Sequence, residues 1–385
     1  MRQSFLPFSP PAIGPEEIRE VVDTLTSDWI TTGPKTTRFE SEFASFVGAP
    51  KALAVFSATD AMQVGLAALG IQPGDEVITT AMTFCSTAHV IEHLGARPVL
   101  VDVEPDTLCI DPAAVERAMT PRTRCLLPVH LYGHPCDMDP LLELAGARGL
   151  SILEDAAHSL PACYKGRMVG TIGTATAFSF YATKNMTTGE GGMLTANPDL
   201  IAAARIWSLH GMSRDAYNRY SQEGSWHYEV VLPGFKCNMT DIQASLGLQQ
   251  LKRLPEFQAR RREVVELYQT AFGSRYELQV PVERADVESA WHIYPLRLNL
   301  EMLTIGRNRF IEEMKARQIG TSVHFIPIHL HPYYRDKYGY APEDFPVAFA
   351  NYQRLVSLPM HPRLSNADVQ DVIEAVLDII EKHGR

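Results

Sequence analysis

No stretch of this 385-residue chain is apolar for the 18 or so residues that a membrane-spanning helix needs. Its opening, MRQSFLPFSPPAIG, lacks the sustained apolar core of a secretory leader, so the expected location is cytoplasmic. The six cysteines, Cys85, Cys109, Cys125, Cys136, Cys163 and Cys237, are scattered without a CxxC pair, which indicates neither a disulfide framework nor a zinc site. Positive charge is also in short supply. A formal net charge of -10 argues against a nucleic-acid groove and leaves room only for a local basic pocket. Internal repeats and low-complexity tracts are missing. The length suits a large domain followed by a smaller one, with the expected division at 1–250 and 251–385.

What is present is an alternation. After an N-terminal arm, Pro15 to Thr26 reads as a helix with Pro, Glu and Glu in its first turn, and a second helix runs to about Val47. From Ala52 to about Ala196, short apolar runs such as GDEVITT, ARPVLVDVE, TRCLLPVHLYG, GLSILEDAA and ATAFSFYA alternate with helical patterns. This predicts an α/β fold with a mostly parallel central sheet flanked by helices. A mixed loop from about Leu209 to Asn238 precedes a long helical run from Thr240 to Phe272, which Pro255 is expected to kink or break. The remainder reads as a smaller α+β domain: strand WHIYPLRLNL, helix RNRFIEEMKARQ, strand SVHFIPIHL, a helix near Asp344 to Arg354, and a last helix from Asp368. The basic run Arg260, Arg261, Arg262 reads as a solvated helix face.

Candidate chemistry collects at strand ends, where open α/β sheets bind ligands. Lys184 follows a buried strand in SFYATKNMTTGEGGM, and an ammonium is placed there only at a cost. A lysine depressed by burial can attack the carbonyl of an aldehyde cofactor; a lysine that merely snorkels from the strand end fits the same residues. Asp155, at the end of GLSILEDAAHS, can hold a pyridine nitrogen protonated and so make the ring an electron sink, or can cap a helix. His158 can bond the ring's phenolic oxygen or a local carbonyl. Ser57, Ala58, Thr59 and Asp60 start a helix whose free amides suit a phosphate, with Asp60 and Gln63 as a possible capping box. Phe84 can lie on a heteroaromatic ring or belong to the core. His324, His329, His331 and His361 lack a spaced carboxylate, so no metal site is expected.

These motifs resemble, nearly end to end, the DegT/DnrJ/EryC/StrS family of pyridoxal-phosphate-dependent sugar aminotransferases, of fold type I. The likeness is carried by SDWITTGP, EDAAHS, SFYATKNMTTGEGG, FKCNMTDIQASLG and GTSVHFIPIHLHPYY, in that order. It is strongest to members that aminate C4 of a nucleotide-linked 4-keto sugar, above all a UDP-linked 4-keto-pentose. The resemblance implies that Lys184 holds the pyridoxal 5′-phosphate and shuttles protons, and that Asp155 pairs with the ring nitrogen. It implies stacking by Phe84, with Ser179, Thr59 and the amides around Ala58 and Asp60 on the phosphate. Asn238 would reach that phosphate from a partner subunit, making a homodimer with shared sites. Tyr181, Arg219, Lys236 and His329 are the implied substrate contacts. Glutamate is the expected amino donor.

Three other readings remain at the level of the sequence. A dehydratase of the same fold carries His where this chain has Lys184. A non-catalytic regulator predicts erosion of residues that are all present here. A keto-cyclitol aminotransferase, or one acting at C3 of the sugar, would use the same chemistry on a different ring.

Overall fold

The structure is a computed structural model that describes residues 2–213 and 227–385. Its strands are β1 (Lys51–Val55), β2 (Glu76–Thr80), β3 (Arg97–Val101), β4 (Thr123–Leu127), β5 (Ser151–Asp155), β6 (Cys163–Tyr164), β7 (Arg167–Met168), β8 (Ala175–Ser179), β9 (Gly192–Ala196), β10 (Leu278–Gln279), β11 (Val287–Glu288), β12 (Tyr294–Leu298) and β13 (Leu355–Leu358). The helices are α1 (Pro15–Thr26), α2 (Pro34–Val47), α3 (Ala58–Ala68), α4 (Ser86–His93), α5 (Pro112–Ala118), α6 (Met138–Arg148), α7 (Pro198–Ser208), α8 (Asp241–Phe272), α9 (Arg307–Ala316), α10 (Pro332–Tyr338), α11 (Pro346–Arg354) and α12 (Asn366–His383).

The central sheet has seven strands in the order β1-β9-β8-β5-β4-β2-β3. Pairs from β8 to β3 are parallel, and β9 is antiparallel to both neighbours, so β1 and β8 run the same way. The strands are short apolar runs because both faces are covered. Alternate residues serve two cores: Leu53, Val55, Val77 and Leu153 pack toward Val64 and Ile201, whereas Ala52, Ala54, Ile78 and Ile152 face Phe39, Phe43 and Leu248. Since β1, β2, β5 and β8 point the same way, the residues after each of them gather along one edge of the sheet.

A second sheet, β10-β12-β13, is covered by the end of α8, α9 and α12, with Val264, Phe272, Tyr294, Phe310 and Val376 in its core. The expected division at residue 250 falls inside α8. That helix is continuous through Pro255, so the expected break is not there. The expected strand SVHFIPIHL is not formed either: Ser322 makes one bridge to Ser357, and the segment continues irregularly to a 3-10 turn at Ile328–Leu330. The strand beside β12 is instead β13, just after α11. The basic run is split by burial. Arg261 is 1% exposed and donates to the carbonyl oxygens of Trp291, His292 and Met360 at 3.2, 3.2 and 2.9 Å.

Candidate active site

The strand ends enclose a cavity of about 420 Å³ whose lining includes Thr59, Phe84, Asp155, His158, Ser179 and Lys184. Each is delivered by a local device. α3 starts with Ser57 as N-cap, its hydroxyl accepting the Asp60 amide at 3.0 Å and donating to the Asp60 carboxylate at 2.8 Å. The expected box between Asp60 and Gln63 is therefore replaced by Ser57 with Asp60, and the Asp60 amide is already used. The amides of Ala58 and Thr59, in the first turn, have no intrahelical acceptor and carry the positive end of the helix dipole.

Close approach at this point requires glycine. A Cβ on Gly192 would lie 2.3 Å from the Ser57 carbonyl carbon and 2.6 Å from the Ala58 nitrogen. Gly192→Ala is expected to displace the α3 start, lower stability by about 1–3 kcal/mol, and weaken cofactor binding. Thermal melting and cofactor titration check this, and an unchanged melting point together with unchanged affinity would count against the packing described.

Asp155 is 4% exposed at the end of β5. Its carboxylate accepts from the Thr87 hydroxyl at 2.9 Å and the Ala157 amide at 3.1 Å. A carboxylate has about four acceptor positions, so two donors leave capacity on the cavity side. Burial raises its pKa, and the nearby Lys184 charge opposes that rise. A cation placed against Asp155 would complete its partners and restore its charge, which is the chemistry of a protonated pyridine.

Lys184 follows β8 in a turn closed by its amide to the Tyr181 carbonyl at 2.9 Å. The turn is pinned by Asn185, whose amide donates to the Leu160 and Ala290 carbonyls at 2.9 and 2.8 Å. Burial lowers the Lys184 pKa to about 8, with Asp155 pulling the other way. The amine is thus protonated below that pH and neutral above it. Capture of an aldehyde needs the neutral form, so the rate of cofactor loading is expected to rise with pH through a midpoint of about 8. Stopped-flow absorbance of apoenzyme mixed with cofactor measures this; a midpoint near 10.5, the ordinary value of a lysine in water, would contradict the burial.

His158 is buried, and its Nδ1 accepts the Tyr132 amide at 3.2 Å. The neutral ring consequently carries its proton on Nε2, a donor. Burial holds its pKa well below the usual value, reinforced by charge on Lys184 and His324. Ser179 lines the cavity at the end of β8. Phe84 and Tyr181 also line it and are 56% and 47% exposed.

Three expected residues, Asn238, Lys236 and His329, lie outside the cavity of this chain. Asn238 bridges to Val55 beyond the end of β1, donates to the Thr32 hydroxyl at 2.5 Å, and accepts from the Lys236 ammonium. Neither Asn238 nor Lys236 lines the cavity of its own protomer. His329 is fully buried with its ring 4.7 Å from that of Phe345, and the structure does not bring it together with the residues that line the cavity. Arg219 lies outside the described residues. His292, His324 and Phe325 also line the cavity from irregular segments. The sequence offers His324 only as a metal ligand that lacks partners, and His292 and Phe325 only as parts of apolar runs that read as strands.

The donors fit pyridoxal phosphate: free amides at a helix start beside Ser179, an open carboxylate for the ring nitrogen, and a depressed lysine on the same cavity. Fold and site together define a pyridoxal-phosphate-dependent aminotransferase. The chain matches the DegT/DnrJ/EryC1/StrS aminotransferase family over residues 11–377 and belongs to that family of sugar aminotransferases. It is 54% identical over 382 residues to the spore coat polysaccharide biosynthesis protein SpsC of Bacillus subtilis, covering 99% of this chain and 98% of that one. Among solved structures, Spr1654 from Streptococcus pneumoniae in its PMP form superposes with a TM-score of 0.92 at 40% identity, covering 98% of this chain and 99% of that one. Helicobacter pylori PseC, an aminotransferase involved in the biosynthesis of pseudoaminic acid, superposes at 0.91 with 28% identity, covering 99% and 100%. No helix among the described residues is long and apolar enough to cross a membrane.

Proposed function

We propose that the enzyme moves an amino group from glutamate to C4 of a nucleotide-linked 4-keto sugar, a pentose or 6-deoxyhexose, in amino sugar biosynthesis. The observation that carries this reading is the reach of the site: Lys184, Asp155 and His158 form the reacting floor, and the exposed ring of Tyr181, beyond the ring of Phe84, extends the wall outward. A sugar with a nucleotide attached covers that outer wall, whereas a free keto-cyclitol leaves it in water.

When bound, pyridoxal phosphate supplies the electron sink for both halves of the exchange. The Ala58 and Thr59 amides, with Ser179, would hold its phosphate, and Phe84 would cover its ring. Asp155 would keep the ring nitrogen protonated. His158 would donate from Nε2. Lys184 Nζ takes the proton from the α-carbon of glutamate and, in the second half, delivers one to C4 of the sugar. The products are 2-oxoglutarate and the 4-amino sugar. Asn238, Lys236 and Arg219 act from the partner subunit of a homodimer. Support for that arrangement is the exposed apolar face of Ile18, Val22 and Leu25 on α1, with Ile30 and Phe56 exposed as well. Sedimentation of the active holoenzyme as a monomer would remove this part of the proposal.

The deciding experiment is a glutamate-dependent assay across UDP- and dTDP-linked 4-keto pentoses and 6-deoxyhexoses, with the position of amination read by NMR. Amination at C3, or preferential turnover of a free keto-cyclitol, would overturn the acceptor.

A further inference from the structure

Among the described residues, three histidines line the cavity, His158, His292 and His324, and all three are tied to Tyr132. Its amide donates to His158 Nδ1 at 3.2 Å. Its carbonyl accepts the His292 amide at 2.9 Å. Its hydroxyl donates to the His324 carbonyl. To make the first two bonds at once the chain turns through the left-handed region at Tyr132, with φ 61° and ψ 1°. A non-glycine residue is held there only at a cost in backbone strain, and such outliers persist where surrounding contacts over-determine them. The next residue is glycine because a Cβ on Gly133 would lie 2.8 Å from the Trp291 nitrogen and 3.0 Å from that of His292.

The hydroxyl bond acts on a different part of the cavity from the backbone bonds. His324 is also bonded through Nδ1 to the Ser357 hydroxyl at 2.9 Å, and its ring stacks on Phe8 with centroids 5.4 Å apart. Phe325 follows, its ring 5.7 Å from both Phe84 and His158. The His324–Phe325 pair is thus a wall that continues from Phe84, and its carbonyl anchor is Tyr132.

We infer that Tyr132 is a positioning residue with two separable jobs: its backbone sets the orientation of His158 and His292, and its hydroxyl fixes the His324–Phe325 wall against which the acceptor sugar rests. The second job rests on the function proposed above; the geometry of the wall does not. Tyr132→Phe removes the hydroxyl and leaves the ring and both backbone bonds.

The test uses the holoenzyme of Tyr132→Phe with two readouts. The first separates the half-reactions. The acceptor KM is expected to rise about three- to tenfold, the worth of one hydrogen bond, while the donor half-reaction changes less than about twofold. The second is independent of any substrate: a carbon-13 NMR titration of the histidine rings. In the closed wall, burial and the Lys184 charge lower the His324 pKa to about 4; Lys184 faces it together with His158 and His292, the latter two neutral by burial. Loosening the wall admits water and is expected to move the His324 midpoint upward toward 6.5. An unmoved midpoint overturns the inference whatever the acceptor proves to be, and equal losses in both half-reactions overturn the division of labour. Should Tyr132→Phe fail to fold, Phe8→Ala removes only the ring stacked on His324 and is expected to move the same midpoint in the same direction; no movement there also overturns it.

Discussion

Lys184→Ala is expected to abolish turnover, by at least about a thousandfold, and to remove the absorbance that reports covalent attachment of the cofactor to the enzyme. Both follow from one nitrogen. It is the depressed amine on the cavity floor, and among the described lining residues it is the only primary amine. General acid–base groups contribute roughly 10²–10⁴ in rate, and loss of the attaching amine adds to that. The protein should remain folded, because Asn185 and the Tyr181 carbonyl hold the turn without the side chain. Retained turnover with retained absorbance would sink the assignment of Lys184.

Asp155→Asn is expected to lower turnover by about 10²–10³, the range found when one preorganised electrostatic partner is removed. The substitution preserves shape, and the amide oxygen can still accept from the Ala157 amide or Thr87. What it removes is the charge that keeps a ring nitrogen protonated. Cofactor should still bind, with both half-reactions slowed together. A variant with normal rates in both halves would show that the ring charge is held by some other group.

The strands of the central sheet are legible in the sequence because each is a short apolar run bounded by turn residues, and such runs are buried on both faces. Asp155, His158, Ser179 and Lys184 are legible because each stands at the end of one of these runs or a few residues beyond it, and the resemblance supplies their roles. Legibility fails where irregular backbone is held by distant contacts. SVHFIPIHL alternates like a strand, yet Phe8, Tyr132 and Ser357 pull His324 and Phe325 out of regular pairing and onto the cavity. In the same segment His329, which the resemblance offered as a substrate contact, turns into the core while His324 lines the cavity. Arg261 reads as one of three surface arginines, and only the folded chain shows that three carbonyls converge on it. Ser57 and Asp60 show a smaller failure: the cap is one turn earlier than the spacing of Asp60 and Gln63 suggests, because β1 ends at Val55 and the helix begins at once.

The 32 residues of α8 form a rod about 48 Å long. One part, from Ala244 to Leu254, is inserted in the core beneath the central sheet, and another, from Val264 to Phe272, in the core of the second sheet. Neither body can melt and leave its half of the rod intact at no expense to the other, so heat should dissolve them in one calorimetric transition rather than two. The rod also limits how the cavity can breathe. Pro255 already lacks one helical hydrogen bond, but a free hinge between the bodies would have to sever others, so the rod bends and springs back rather than swinging freely.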